Sequence, residues 1–78
     1  MLHVNKVQHA EEYKLYIELS NGLSGYFDLS PYLNKGIFTQ LRDINYLKKV
    51  KKDTFGICWP KGQDLSADTI ECGLQKST

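Results

Sequence analysis

No apolar run in this sequence approaches the ~20 residues of a membrane span. The opening MLHVNKVQHA also lacks the basic segment followed by a long apolar stretch that marks a leader. The chain therefore reads as soluble, unprocessed and cytoplasmic. Cysteine is scarce: Cys58 and Cys72 are the only two, whereas a secreted domain of this size normally carries a denser disulfide framework. Reduced thiols acting as small, mostly buried apolar residues are the simplest expectation. No ligands stand at C-x-x-C or H-x-x-x-H spacing, and His3 and His9 lie far in sequence from Cys58, so no metal and no cofactor is expected. The six glycines are scattered singly, which leaves no phosphate-cradling loop. Charge of one sign is missing too, since ten Lys and Arg oppose nine Asp and Glu for a net +1. Such a balance excludes a protein built chiefly to neutralise phosphates.

What is present is enough for one small core. Over 78 residues, 41% are hydrophobic and 12% aromatic, a composition that folds rather than stays disordered. One domain spanning residues 1–78 is expected, with a tail frayed from about residue 75. At this size association adds useful stability, so a homodimer is a secondary expectation.

The patterning predicts an α+β fold: a small, mostly antiparallel sheet of about five short strands with two to three short helices. Leu2, Val4 and Val7 form a first strand, and the parity change between Val4 and Val7 predicts a bulge. The polar HAEE is read as a turn. In YKLYIEL, Tyr13, Leu15, Ile17 and Leu19 share one face, while Lys14, Tyr16 and Glu18 share the other. The next strand, LSGYFDL, places Leu23, Gly25, Phe27 and Leu29 together. A two-residue loop between these strands would set Leu15 opposite Asp28 and mix the faces. A three-residue loop of Ser20, Asn21 and Gly22 sets Leu19 against Leu23, Leu15 against Phe27 and Tyr13 against Leu29, and is the register expected.

Ser30 as cap, Pro31 at a first helical position and Gly36 as stop predict one helical turn. In IFTQLRDINYLKKV, the residues Ile37, Leu41, Ile44 and Leu47 fall at helical spacing. Asp43 leaves open whether this is one helix or two, the second covering Ile44 to Lys49. VKKDTFGICW reads as two short strands around Lys52-Asp53-Thr54, with Phe55, Ile57 and Trp59 on one face until Pro60 ends the pairing. Ser66 caps a last helix, with Asp68 in its first turn, Ile70 inward and Gly73 near its end.

The densest run of distinctive residues is WPKGQDL, residues 59–65. Folding accounts for most of it. Trp59 is read as a core anchor, Pro60 as a strand stop, Lys61 and Gly62 as turn residues, Asp64 as a cap or partner of backbone amides, and Leu65 as a staple; only Gln63 has no folding role. The competing reading makes Trp59, Pro60 and Asp64 a partner-binding site, with the tryptophan and proline as an exposed shelf. The aspartates stand mostly at turns and helix starts, where capping explains them, so no catalytic residue is assigned and the chain is not expected to be an enzyme. Lys48, Lys49, Lys51 and Lys52 form the best case for nucleic acid. Lysines also protect strand edges and suit helix C-termini, and no stacking motif accompanies them, so a nucleic-acid partner is not the leading expectation.

The segments YKLYIELSNGLSGYFDLSPYL and FTQLRDINYLKKV, and above all WPKGQDLSADTI, resemble the small bacterial family known as domain of unknown function 2442. Where this chain has Lys61 the family usually shows asparagine or glycine, and a proline often sits near Ala67 and Asp68. The resemblance implies an α+β domain with no assigned enzymatic activity. It also implies a partner, because relatives look like antitoxin or regulatory components encoded beside a small protein suspected of being a toxin. The functional expectation is therefore a non-enzymatic interaction module that binds a small protein partner, such as a cognate toxin, through an exposed strand edge and the Trp59–Pro60 shelf. The alternative is weak nucleic-acid binding through the four lysines.

Overall fold

A computed structural model describes residues 1–76. The chain is α+β, with seven strands in two antiparallel sheets among the described residues. The larger sheet has the order β1-β2-β3-β7, formed by Val4–Glu11, Lys14–Leu19, Ser24–Asp28 and Gln75–Lys76. The smaller has the order β4-β5-β6, formed by Lys51–Lys52, Gly56–Cys58 and Asp64–Ser66. Two 3-10 helices, Ser30–Tyr32 and Gly36–Arg42, and a short α1, Ile44–Leu47, connect the sheets, and α2, Ala67–Gly73, leads into β7. Two strands are thus added to the five expected: β6, of three residues, and β7, of two.

The central hairpin has the expected register. Leu15 lies opposite Phe27 and Ile17 opposite Gly25, while Leu19 N–H donates to Leu23 O at 2.8 Å and Leu29 N–H donates to Tyr13 O at 2.8 Å. Gly22 takes φ +90, a conformation that L side chains rarely adopt, and this closes the loop. The bulge in β1 falls between Val4 and Lys6. HAEE is not the turn, however: β1 continues to Glu11, which pairs with Lys14, and the chain reverses at Glu12 and Tyr13. Glu12 takes φ +46 there, and its carbonyl accepts a hydrogen bond from His9 Nε2 at 2.9 Å.

Three further differences have local causes. Ser30 does not cap its helix. Asp28 Oδ1 accepts from Ser30 N–H at 2.9 Å, and these hydrogen bonds hold the Asp28 carboxyl below its ordinary value of 3.8. Gly36 begins the second 3-10 helix instead of ending the first. In that helix Ile37 is 54% exposed while Leu41 is buried, because a 3-10 helix has about three residues per turn and four residues no longer return to one face. Asp43 Oδ1 then accepts from Asn45 N–H at 3.0 Å and starts α1, so the segment is two short helices.

Phe55 is the remaining apolar residue that turns outward, at 62% exposure. Asp53 Oδ1 accepts from both Phe55 N–H, at 2.9 Å, and Gly56 N–H, at 2.8 Å. The turn therefore includes Phe55, and strand alternation begins only at Gly56. Ser66 caps α2 as expected, its Oγ accepting from Thr69 N–H at 3.2 Å. Of the tail expected to fray, Gln75 and Lys76 pair with Tyr26 and Gly25 of β3; Ser77 and Thr78 lie outside the described residues.

The core lies where Leu15, Ile17, Leu19 and Phe27 of the large sheet meet Leu29, Leu33, Leu41 and Leu47 of the connecting segment and Ile57, Trp59, Leu65 and Ile70 of the C-terminal part. Each such side chain contributes about 1.5–3 kcal/mol of burial. The smaller sheet also depends on close backbone approach at Gly56, where a Cβ would collide with Leu65 O and come within 2.9 Å of Ala67 N. The substitution Gly56→Ala is predicted to cost about 1–3 kcal/mol through overpacking, measured by urea denaturation. An unchanged midpoint would show that β5 and β6 can separate without penalty.

Candidate functional site

The stretch WPKGQDL links β5 to β6 through a closed loop: Gly62 N–H donates to Trp59 O at 3.1 Å and Trp59 N–H donates to Gln63 O at 2.9 Å. Trp59 is only 2% exposed, and its indole N–H donates to Leu47 O at 2.9 Å. The ring thereby meets one of the last carbonyls of α1 as well as the core. This corrects the reading of Trp59 as an exposed contact; of the shelf, only Pro60 lies at the surface.

Gln63, the residue without an expected role, is the buried polar centre of the region, at 0% exposure. Its Nε2 donates to Ile37 O at 2.7 Å and to Gln40 Oε1 at 2.8 Å, while its Oε1 accepts from Tyr46 O–H at 2.6 Å. The Tyr46 oxygen in turn accepts from Lys61 N–H at 2.9 Å. One amide thus joins the 59–63 loop to the 3-10 helix at 36–42 and to α1. Both of its donor hydrogens and its acceptor are engaged, as burial requires. A sequence signal existed: strand alternation from buried Leu65 past exposed Asp64 puts Gln63 on the inward face.

Beside this network lies an open groove of about 510 Å³. Tyr46 and Pro60 line it with Lys49 and Lys61, and Gln40, Asp43 and Asn45 complete it. Lys61 Nζ lies 5.7 Å from the centre of the Tyr46 ring, within cation–π range. Asp64 is not part of this groove. It stands on β6 opposite Cys58 and lines a smaller hollow of about 130 Å³ with Asp53 and Phe55. The structure therefore separates the three residues suggested as one contact site: Trp59 is inside, Pro60 is in the groove, and Asp64 is on another hollow.

The lysine run is divided as well. Lys48 follows α1 as its C-cap, and Lys49 lines the groove. Lys51 pairs with Cys58 in β4, while Lys52 reaches β1, its Nζ donating to Asn5 O at 2.8 Å. Alternation along β4 sends Lys51 and Lys52 to opposite faces. The cation that joins Lys49 in the groove is Lys61, from another element.

The thiols differ in environment. Cys58 is half-buried, and burial, followed by the Asp53 charge and hydrogen bond, pushes its thiol above its ordinary value. Cys72 is exposed rather than buried. It sits on the outer side of a short helix whose inward residues are Ala67 and Ile70. Among the described residues, no group of three or more His, Cys, Asp or Glu side chains is arranged to hold a metal ion. None of the described helices is long and apolar enough to cross a membrane.

These features define a small two-sheet α+β domain with a polar-pinned groove. A family model matches residues 4–75, and the chain belongs to that family, described as protein of unknown function (DUF2442). No curated protein and no solved structure matches the chain.

Two predictions follow from the site chemistry. Replacing Gln63 by Leu removes its bonds to the Ile37 carbonyl, Gln40 Oε1 and the Tyr46 O–H, with a predicted total cost of about 1–3 kcal/mol. Urea denaturation should show the loss, and a cost below about 1 kcal/mol would mean that the amide is not structural. In a neutral iodoacetamide time course read by mass spectrometry, Cys72 should be alkylated at least about tenfold faster than Cys58, whose burial and raised thiol disfavour the thiolate. Equal rates would show that the Cys58 site opens freely.

Proposed function

We propose that this domain is a non-enzymatic module that binds a small protein partner, and that an acidic segment of the partner docks in the Tyr46–Pro60–Lys61 groove. The antitoxin-like or regulatory role comes from the family resemblance of WPKGQDLSADTI, and the reading takes the module to be cytoplasmic, with both thiols reduced. The observation that carries it is the groove: about 510 Å³, with an aromatic ring, a proline and two lysines in its lining. Aromatic surface supplies contact area at low entropic cost. Lys49 and Lys61 outnumber the single carboxylate of the lining, Asp43, and supply charge complementary to carboxylates, which steers encounter and fixes register. Tyr46 is already held by Gln63 and by Lys61 N–H, so little ordering remains to oppose binding.

Nucleic-acid binding has less support, because Lys49, Lys51 and Lys52 are engaged at different places. A phosphate backbone is tracked by a contiguous basic stripe.

The test compares the wild-type chain with the double substitution Lys49→Glu and Lys61→Glu as baits in lysate of the native host. The reading expects one small protein to be captured by the wild type, and its purified form to bind the variant at least about tenfold more weakly. The two chains should differ in stability by no more than about 1 kcal/mol, the worth of the exposed cation–π contact between Lys61 Nζ and the Tyr46 ring. Equal affinity for the two baits, or capture of no specific protein by the wild type, would overturn the reading.

A further inference from the structure

The outer face of the large sheet carries a second surface, which shares no residue with the groove. Strand alternation buries Leu15, Ile17, Leu19 and Phe27 and turns Lys14, Tyr16 and Glu18 of β2 outward beside Asp28, Tyr26 and Ser24 of β3. One solvated face is usual for an antiparallel sheet. This face, however, is centred on two rings, Tyr16 and Tyr26, packed edge to face with centroids 5.7 Å apart. Tyr26 is 40% exposed. Gln8 flanks Tyr16 on β1, and Gln75 flanks Tyr26 on β7. Tyrosine is enriched in the centres of protein interfaces.

The charges of β2 and β3 are self-complementary, and Lys6 of β1 adds a further cation, its Nζ 6.0 Å from the centre of the Tyr16 ring. In register, Lys14 pairs with Asp28, Tyr16 with Tyr26 and Glu18 with Ser24. Consider a two-fold axis parallel to the strands, between β2 and β3, midway between two facing sheets. It places every residue over the copy of its own cross-strand neighbour. Lys14 then faces Asp28 of the partner subunit, Tyr16 faces Tyr26 of the partner subunit, and Glu18 faces Ser24 of the partner subunit. Gln8 falls over Gln75 of the partner subunit. The symmetry doubles each contact, as in any isologous interface, and brings no like charges of these two strands together. Stacked sheets lie about 10 Å apart, a gap that facing tyrosines and lysine–carboxylate pairs can fill.

We propose that this tyrosine face is a homodimer interface, and that its occupant is a second copy of the same chain stacked about that axis. A small domain gains stability from such association by mass action. The occupant follows from the charge pattern, since the surface that best matches Lys14, Tyr16 and Asp28 is the same surface turned over.

Sedimentation equilibrium on the full chain, from micromolar to millimolar concentration, provides the test. The wild type should show a monomer–dimer equilibrium. Lys14→Asp sets carboxylate against carboxylate, and Asp28→Lys sets ammonium against ammonium; each should weaken dimerisation by about tenfold or more. An equimolar mixture of these two variants should recover a heterodimer, because each like-charge contact is then replaced by an opposite-charge one. Asp28 also accepts from Ser30 N–H, so if Asp28→Lys does not fold, Tyr26→Arg replaces it as the second disrupting variant. A wild type that stays monomeric throughout, folded variants that dimerise as tightly as the wild type, or a mixture of folded Lys14→Asp and Asp28→Lys chains with no gain would overturn the proposal; Tyr26→Arg tests disruption alone. Failure here leaves the groove reading intact, because the two surfaces have no residue in common.

Discussion

The Gln63 side chain is the constraint on which the C-terminal half of the structure rests. A fully buried amide costs several kcal/mol unless its donors and acceptor are all paired, and here the partners come from two other segments: Ile37 and Gln40 of the second 3-10 helix, and Tyr46 of α1. None of these segments is long enough to be stable alone. The 3-10 helix has seven residues and α1 has four, well short of what an isolated helix needs in water. Their geometry is therefore set by tertiary contacts, and the amide network is the directional part of those contacts. Hydrophobic burial of Leu41, Leu47 and Trp59 supplies the larger driving force but specifies orientation poorly. Polar pairing supplies the orientation.

Trp59 completes the same joint from the other side. Its ring enters the core while its N–H takes the Leu47 carbonyl, so one residue provides apolar contact and satisfies a helix end. Trp59 and Gln63 are also tied to each other through the loop backbone. The groove beside them is a consequence of this construction: Gln63 Oε1 and Lys61 N–H both hold the Tyr46 hydroxyl, and the tyrosine lines the groove with Pro60.

Legibility in the sequence divided along physical lines. Where one rule governed, the reading succeeded: alternation and loop length set the β2–β3 register, Ser66 started its helix, and the parity change at Val4 and Val7 marked the bulge; the choice left open at Asp43 fell to two short helices. Where two rules competed, it failed. Ile37 followed 3-10 rather than α geometry, and Phe55 was drawn into a turn by the Asp53 carboxylate in place of continuing the strand. The family and the α+β class were legible because WPKGQDLSADTI and the alternating strands carry both. The groove was half legible. Pro60 was singled out, but Tyr46, Lys61 and Gln40 converge through tertiary bonds that no local pattern encodes. Gln63 was missed because β6 was not among the expected strands, so its alternation was not read, and amides are mostly exposed as a class.

The two surfaces make different physical demands, and this bears on how a chain of 78 residues could use both. The groove is built on short helices whose positions depend on an amide network, so any partner that displaced Tyr46 would also loosen Gln63 and the loop behind it. Binding there is coupled to the stability of the C-terminal half. The tyrosine face is built on the longest strands, with the core packed directly beneath, and docking on it requires no internal rearrangement. Under the two proposals, a partner in the groove would act on the less regular part of the fold and self-association on the more regular part. Groove occupancy would then bear on the segments joined by the Gln63 network, and the sheet face would hold two copies together without involving them.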